Sequence, residues 1–172
     1  FNGSNYDFAG GRGYIEKDWG RNFPENWIWA QSNNFTNNDL SITASLATIP
    51  WKNTAFAGFI VGLYYNSKLY RFTTYRNTVT QEIHYESNKF YWKLKQKNLT
   101  LEMTIEKGHK PGLLYAPGKI DMIPRVHEYL DGSIYLKLYD HIETILEDHA
   151  TSAAIEIIGD TNKLIYMASP AQ

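Results

Sequence analysis

Residues 55–107 read AFAGFIVGLYY, NS, KLYRFTTYR, NT, VTQEIHYE, SN, KFYWKLKQ, KN and LTLEMTIEK, so that apolar-rich runs alternate with polar pairs. Asn and Ser in these pairs tolerate the left-handed backbone that tight turns require. The last run alternates strictly, with Leu99, Leu101, Met103 and Ile105 on one side and Thr or Glu between them. A repeat of about ten residues with turns between the runs predicts an up-and-down antiparallel sheet or barrel.

The rest of the chain extends this pattern. We predict further strands over Asn26–Phe35, Leu40–Ile49 and Ala153–Ile158, and a hairpin of Val126–Leu130 and Ser133–Tyr139 around Asp131-Gly132. Residues 111–124 contain three prolines and are predicted to be irregular, while Asp140–His149 fits helical spacing and stays open between helix and strand. Together these segments predict one all-β domain, a closed or nearly closed antiparallel barrel of about 8–10 strands with little helix.

Composition excludes several classes of function. The 172 residues include no cysteine, which rules out disulfides, thiolate metal sites and cysteine nucleophiles. The net charge of −1 argues against a nucleic-acid surface, and the five histidines show no metal-binding spacing, so we predict no metal and no nucleic-acid partner. Aromatic residues are unusually frequent at 15%. Because the chain begins at Phe1, we expect it to be a piece of a longer protein.

Residues 11–24 and 27–33 differ most from a generic strand. If residues 14–19 are extended, Tyr14, Glu16 and Asp18 share a face, and the two carboxylates lie about 6–7 Å apart along it. In a poorly hydrated cavity one of them can stay protonated at neutral pH. In the next strand one face carries three aromatic rings and two carboxamides, from Trp27, Trp29, Gln31, Asn33 and Phe35. We interpret these residues as the lining of a barrel cavity; the alternative is a solvated charge cluster beside ordinary core tryptophans.

The same segment carries a family resemblance. Residues 13–35 contain GYIEKDWGR, FP and WIWAQSNNF, and the likeness continues through SLATIPW at 45–51, FAGF at 56–59, RFTTY at 71–75 and EIIG at 156–159. These motifs resemble the tocopherol cyclase family. The resemblance implies a lipocalin-like (calycin-type) barrel over residues 1–172 and indicates the C-terminal part of a longer protein with two such barrels.

The family reaction implied by this resemblance is acid-initiated closure of a ring on a prenylated hydroquinone, without a cofactor, by an enzyme of the isomerase or intramolecular-lyase class. Protonating an alkene requires a carboxylic acid kept neutral, for which the candidates are Glu16 and Asp18. Lys17 is the candidate for orienting a phenol oxygen. The other predicted ligand-binding residues are Trp19, Trp27 and Trp29 as cation stabilisers, Gln31 and Asn33 as head-group partners, and Tyr75 at the pocket mouth. Glu128 and Glu156 are weaker candidates.

Two other functions remain open at this point. A non-catalytic carrier of a hydrophobic small molecule needs the same cavity and no acid, and a carbohydrate-binding protein would use exposed tryptophans. The expected partners are a hydrophobic small-molecule ligand and the N-terminal half of the same protein, with transient membrane contact at a barrel mouth. The expected location is the cytoplasm.

Overall fold

A computed structural model of the chain describes residues 2–18, 23–118 and 120–170. Ten strands in this part of the chain form one antiparallel sheet. They are β1 (Trp27–Ser32), β2 (Ser41–Trp51), β3 (Thr54–Tyr65), β4 (Lys68–Thr73), β5 (Val79–Glu86), β6 (Lys89–Gln96), β7 (Leu99–Glu106), β8 (Pro111–Pro117), β9 (Met122–Asp140) and β10 (Glu143–Ile158). A 3₁₀ turn covers Thr74–Arg76, and one helix, α1, covers Thr161–Ala168.

The strands follow one another around a barrel that is nearly closed. Their order is β4-β3-β2-β1-β10-β9-β7-β6-β5, and β8 pairs with β9 outside this path. The predicted tight turns are confirmed: Asn66, Ser67, Ser87 and Asn88 all have positive φ between 48° and 68°. Two consecutive left-handed residues match the twist of antiparallel strands, which is why short polar pairs suffice as connections. The all-β antiparallel fold class is therefore confirmed.

The two ends of the sheet meet at a seam between β4 and the β5–β6 hairpin, which side chains bridge. The Gln96 carboxamide donates to the backbone carbonyls of Arg71 and Arg76 at 3.1 and 3.2 Å, and to the Thr78 hydroxyl at 2.9 Å. Helix α1 packs against β3 and β5, one strand from each side of the seam, and buries Leu164 in the core. Side chains and a helix thus complete the closure that the strands leave open.

Large apolar side chains occupy the interior of the barrel. The largest fully buried ones are Trp92, Phe72, Phe90, Ile28, Leu40, Leu46, Leu63, Leu94, Leu101, Met103, Ile105 and Ile134. Three of the four residues on the predicted apolar face of β7, from Leu101 to Ile105, are among them. The interior of this barrel therefore serves as a packed core.

The predicted hairpin at Asp131-Gly132 is wrong, because β9 runs through both residues without a turn. Gly132 is needed for close packing: a Cβ there would lie 2.3 Å from Cδ1 of the buried Ile155 on β10. The Asp131 carboxylate accepts a hydrogen bond from the backbone N–H of His109 at 3.0 Å, so its partner is a residue 22 positions earlier in the sequence. The proline-rich stretch predicted to be irregular instead forms the hairpin of β8 and the first part of β9.

The segment left open between helix and strand is a turn followed by a strand. His141 adopts a left-handed φ of 54°, and β10 begins at Glu143. Helix α1 comes after β10, where no helix was predicted. Its first turn is capped by Asp160, whose carboxylate accepts the backbone N–H of Lys163 at 2.9 Å.

Candidate functional site

Strand β1 divides its residues between the two faces of the sheet. Ile28 and Ala30 point into the main core, whereas Trp27 and Trp29 belong to a second apolar cluster with partners on β2, β8, β9 and β10. Gln31 shares the face of the two tryptophans, as the alternation predicts. The expectation that this face lines the barrel interior is wrong: it is the outer face, because the smaller Ile28 and Ala30 are the ones that fill the core.

The N-terminal segment lies across this outer face. The structure assigns no strand to residues 2–18, but two side chains attach the segment to the sheet. The Arg12 guanidinium donates to the backbone carbonyls of Asn33 and Asn38. The Tyr14 hydroxyl lies 3.2 Å from the Thr43 hydroxyl of β2, and its ring centroid lies 6.2 Å from that of Trp29. These contacts place Glu16 over β1.

Glu16 receives two hydrogen bonds on one carboxylate oxygen. The Tyr14 hydroxyl and the Trp29 indole N–H, the latter at 3.4 Å, both donate to Oε2. Loss of hydration raises the pKa of Glu16 and the neighbouring Asp18 raises it further, while the bonds from Tyr14 and Trp29 partly oppose the shift. Burial, followed by the bond to Glu16, raises the pKa of Tyr14 to about 12. Glu16 is therefore easier to protonate than an ordinary glutamate.

A second carboxyl–indole pair lies beside the first. The Trp27 indole N–H donates to Glu156 Oε2 at 2.6 Å, and Trp27 is only 5% exposed. Glu156 is directly opposite Trp29 on β1 and Glu128 on β9. Burial raises the pKa of Glu156, the Trp27 bond opposes the shift, and the negative charge of Glu128 adds to it. Burial alone raises the pKa of Glu128.

Two grooves meet on the outer face next to Tyr14. The first, about 390 Å³, is lined mainly by polar residues of the N-terminal segment and of the loops flanking β1 and β2. The second, about 310 Å³, is mainly apolar and runs across β2, β3 and β4 towards Tyr75. Both grooves are lined by Tyr14, Gln31, Ser41 and Tyr64. Together they can hold a molecule that is polar at one end and apolar at the other.

The structure brings some of the predicted site residues together and places others apart. Glu16, Trp29 and Gln31 come together around Tyr14, and Asn33 lines the polar groove beside them. Trp27 lies apart, under the β8–β9 hairpin, and Tyr75, which is 75% exposed, is at the far end of the apolar groove. Lys17 and Asp18 are exposed, and Trp19 lies outside the described residues. The described residues contain no cluster of three or more metal-binding side chains.

Sequence reasoning did not assign a role to Tyr14, although this residue connects Glu16 to both grooves. The available signal was its position two residues before Glu16, on the same side of an extended segment. Gly62 on the groove floor was also missed, because a glycine within an apolar strand carries no pattern of its own.

A family profile described as tocopherol cyclase-like matches residues 1–159. The chain belongs to this family. The tocopherol cyclase-like chain is 28% identical to "Probable tocopherol cyclase, chloroplastic" of Oryza sativa subsp. japonica and 26% identical to "Tocopherol cyclase, chloroplastic" of Zea mays. Each match covers 92% of this chain and 36% of the relative, so the chain spans about a third of the length of these curated relatives. The resemblance predicted from the motifs is confirmed.

Among solved structures, the family member matches acetoacetate decarboxylase from Legionella pneumophila subsp. pneumophila str. Philadelphia 1. The match covers 80% of this chain and 84% of the other, with 11% identity and a TM-score of 0.29. In the described part of the chain, no helix is both long and apolar enough to cross a membrane.

Proposed function

We propose that this tocopherol cyclase-like chain binds a prenylquinol-type isoprenoid on the outer face of its sheet and catalyses its acid-initiated cyclisation without a cofactor. The observation that carries the proposal is the contact of Tyr14 with Glu16: a carboxyl group with a raised pKa is hydrogen-bonded to a hydroxyl that lines both grooves. A general acid that works near neutral pH needs such a shift.

The proposed reaction moves protons only. When Glu16 is protonated, the hydrogen bond between the two side chains reverses: Glu16 donates its proton to the Tyr14 oxygen while the Tyr14 hydroxyl proton is transferred to one carbon of the ligand's nearest side-chain double bond. The phenol oxygen of the ligand attacks the resulting tertiary cation and closes the ring. The proton released from that oxygen returns through Tyr14 to the Glu16 carboxylate, so the product is an isomer of the substrate and the protein is regenerated.

Aromatic rings near the path of the ligand support the cationic step. The Trp29 ring lies beside Tyr14, while Tyr64 and Tyr75 line the apolar groove. Each ring that faces a cation contributes about 0.5–2 kcal/mol of stabilisation. Trp27 is covered by the β8–β9 hairpin, so its proposed role is to hold Glu156 rather than to stabilise the cation.

We also propose that the chain acts as the C-terminal part of a longer protein with two barrels. The curated relatives are longer than this chain, which spans 36% of each, and this supports the longer protein. The N-terminal half of that protein would then be a partner of this chain. Transient membrane contact and a cytoplasmic location stay predictions.

A non-catalytic carrier is the second candidate. The exposure of the N-terminal segment around Glu16 favours it, since alkene protonation proceeds best where water is excluded. A carrier would use the same grooves and return its ligand unchanged.

Incubation with 2-geranylhydroquinone distinguishes the two functions, with ring closure followed by chromatographic retention at unchanged mass. We expect turnover by the unmodified chain, a loss of at least about 100-fold in Glu16→Gln and Tyr14→Phe, and a smaller loss in Asp18→Asn, because Asp18 acts only by raising the pKa of Glu16. If the ligand binds but is returned unchanged, the carrier is correct. If Glu16→Gln and Asp18→Asn both keep full turnover, the acid lies elsewhere.

A further inference from the structure

Gln31 is a mostly buried residue whose amide opens onto the grooves. It is 8% exposed, and among the described residues no hydrogen bond reaches its carboxamide. The side chain lines both grooves at the point where they meet. Because the amide is reached from the grooves and is not engaged within the described structure, it can hydrogen-bond a ligand that lies there.

The apolar groove also has a fully buried polar atom beside it. Thr73, at the end of β4, is 2% exposed, and its hydroxyl is buried without a hydrogen-bond partner in the described structure. Thr73 lines the apolar groove opposite Ile60. An unpaired buried hydroxyl beside a groove is difficult to explain by packing alone.

Gly62 forms the floor of the groove between these two residues, next to Thr43 on β2 and Arg71 on β4. Its φ is not positive, so the backbone does not require glycine. A Cβ would lie 3.7 Å from both Leu69 Cδ1 and Thr43 Cγ2, which is ordinary contact, so the packing does not require glycine either. Glycine weakens a strand and marks places where a ligand approaches the backbone closely.

We propose that Gln31 binds the hydroxyl of an amphipathic small molecule, a phenol or hydroquinone with an apolar tail, and that Gly62 keeps the path of the tail open. The Gln31 carboxamide offers both a donor and an acceptor to a phenol hydroxyl. The tail crosses Gly62 between Ile60 and Leu69 towards Tyr75. The ligand thus lies on the outside of the sheet, whose other side is the packed core. The phenolic nature of the head group rests on the proposed function, whereas the position rests on Gln31 and Gly62.

Titration of the ¹⁵N-labelled chain with 4-octylphenol tests this placement. We expect the Gln31 side-chain amide signals to shift on binding, and 4-octylanisole, which has no hydroxyl to donate, to bind more weakly. Gln31→Leu should weaken binding of the phenol about tenfold and remove the preference over the anisole. The same variant should melt within about 2 °C of the unmodified chain, because the Gln31 amide makes no hydrogen bond within the described structure.

Gly62→Ala tests the path of the tail. This variant should bind 4-octylphenol about tenfold more weakly, because the added methyl group occupies the groove floor. Its affinity for 4-methylphenol should be nearly unchanged. Gly112→Ala on β8 is the matched control: its Cβ would lie 3.8 Å from the Glu128 carbonyl oxygen, and it should not affect binding.

Three results would overturn the placement. The first is no binding of 4-octylphenol at millimolar concentration, and the second is an affinity in Gln31→Leu and Gly62→Ala equal to that of the unmodified chain. The third is a set of chemical-shift changes confined to interior residues such as Phe72 and Leu94. A melting temperature more than about 5 °C lower in Gln31→Leu would show that the amide has a structural partner, and would also refute the proposal. None of these readouts requires turnover. A chain that binds at Gln31 but closes no ring therefore refutes only the proposed catalysis.

Discussion

Replacing Gly132 with alanine tests why β9 passes through Asp131-Gly132 without turning. Gly132 is opposite Ala153 on β10, and a Cβ at this position would lie 2.3 Å from Ile155 Cδ1 and 3.0 Å from the Glu106 carbonyl oxygen. Ile155 is fully buried, so its side chain has no free space into which to move. Overpacking of this kind lowers the free energy of unfolding by about 1–3 kcal/mol.

A second substitution makes the explanation specific. Ile155→Val removes the Cδ1 atom closest to the new methyl group and by itself costs about 0.5–1.5 kcal/mol. If the clash is the cause, the double variant should lose less stability than the two single variants together, by about 1 kcal/mol or more. If Gly132 were required for a turn, the cost of alanine would be independent of residue 155.

Urea denaturation of the four proteins, followed by tryptophan fluorescence and circular dichroism, measures this cycle. A clash at Gly132 is refuted if Gly132→Ala changes the free energy of unfolding by less than about 0.5 kcal/mol. It is also refuted if the stability losses of the two single variants add within that margin in the double variant. Equal m-values across the set will show that the same transition is being compared.

Two further predictions concern polar groups on the outer face. Thr73→Val should raise the free energy of unfolding by about 1 kcal/mol in chemical denaturation, because it removes an unpaired hydroxyl at nearly constant volume, and a loss of stability would contradict this. The pKa of Glu156 is higher in the folded state than in the unfolded state. The contribution of Glu156 to stability is therefore fully present below the unfolded-state pKa and is lost as the pH rises through the folded-state pKa. The stability of Glu156→Gln relative to the unmodified chain should therefore increase from pH 4 to pH 8, and a difference that is constant with pH would rule out this assignment.

The sequence predicted the strands and turns of residues 54–106 well because the signals there are local. Asn66, Ser67, Ser87 and Asn88 adopt left-handed conformations that depend mainly on their own side chains. The Asp131-Gly132 pair carries an equally strong local signal, but contacts distant in sequence decide its conformation. The Asp131 carboxylate accepts a hydrogen bond from the backbone of His109, and Gly132 packs against Ile155. Neither contact can be inferred from the dipeptide.

For the candidate site, alternation along β1 predicted which side chains share a face but not which face points inwards. Trp27 and Trp29 look like core residues, yet Ile28 and Ala30 occupy the core. The bond between Glu16 and Trp29 arises because a segment without periodic structure crosses the sheet, and no sequence pattern specifies that crossing. The partners of Glu16 therefore required the three-dimensional structure.

The division of β1 between a packed side and a groove side has an evolutionary consequence. Neighbouring residues such as Ala30 and Gln31 meet different physical constraints, because one fills the core and the other borders a groove. Mutations at the groove positions can accumulate and redirect ligand preference while the domain keeps folding. A lineage that inherits this scaffold can thus explore new chemistry without first acquiring compensating changes in its interior.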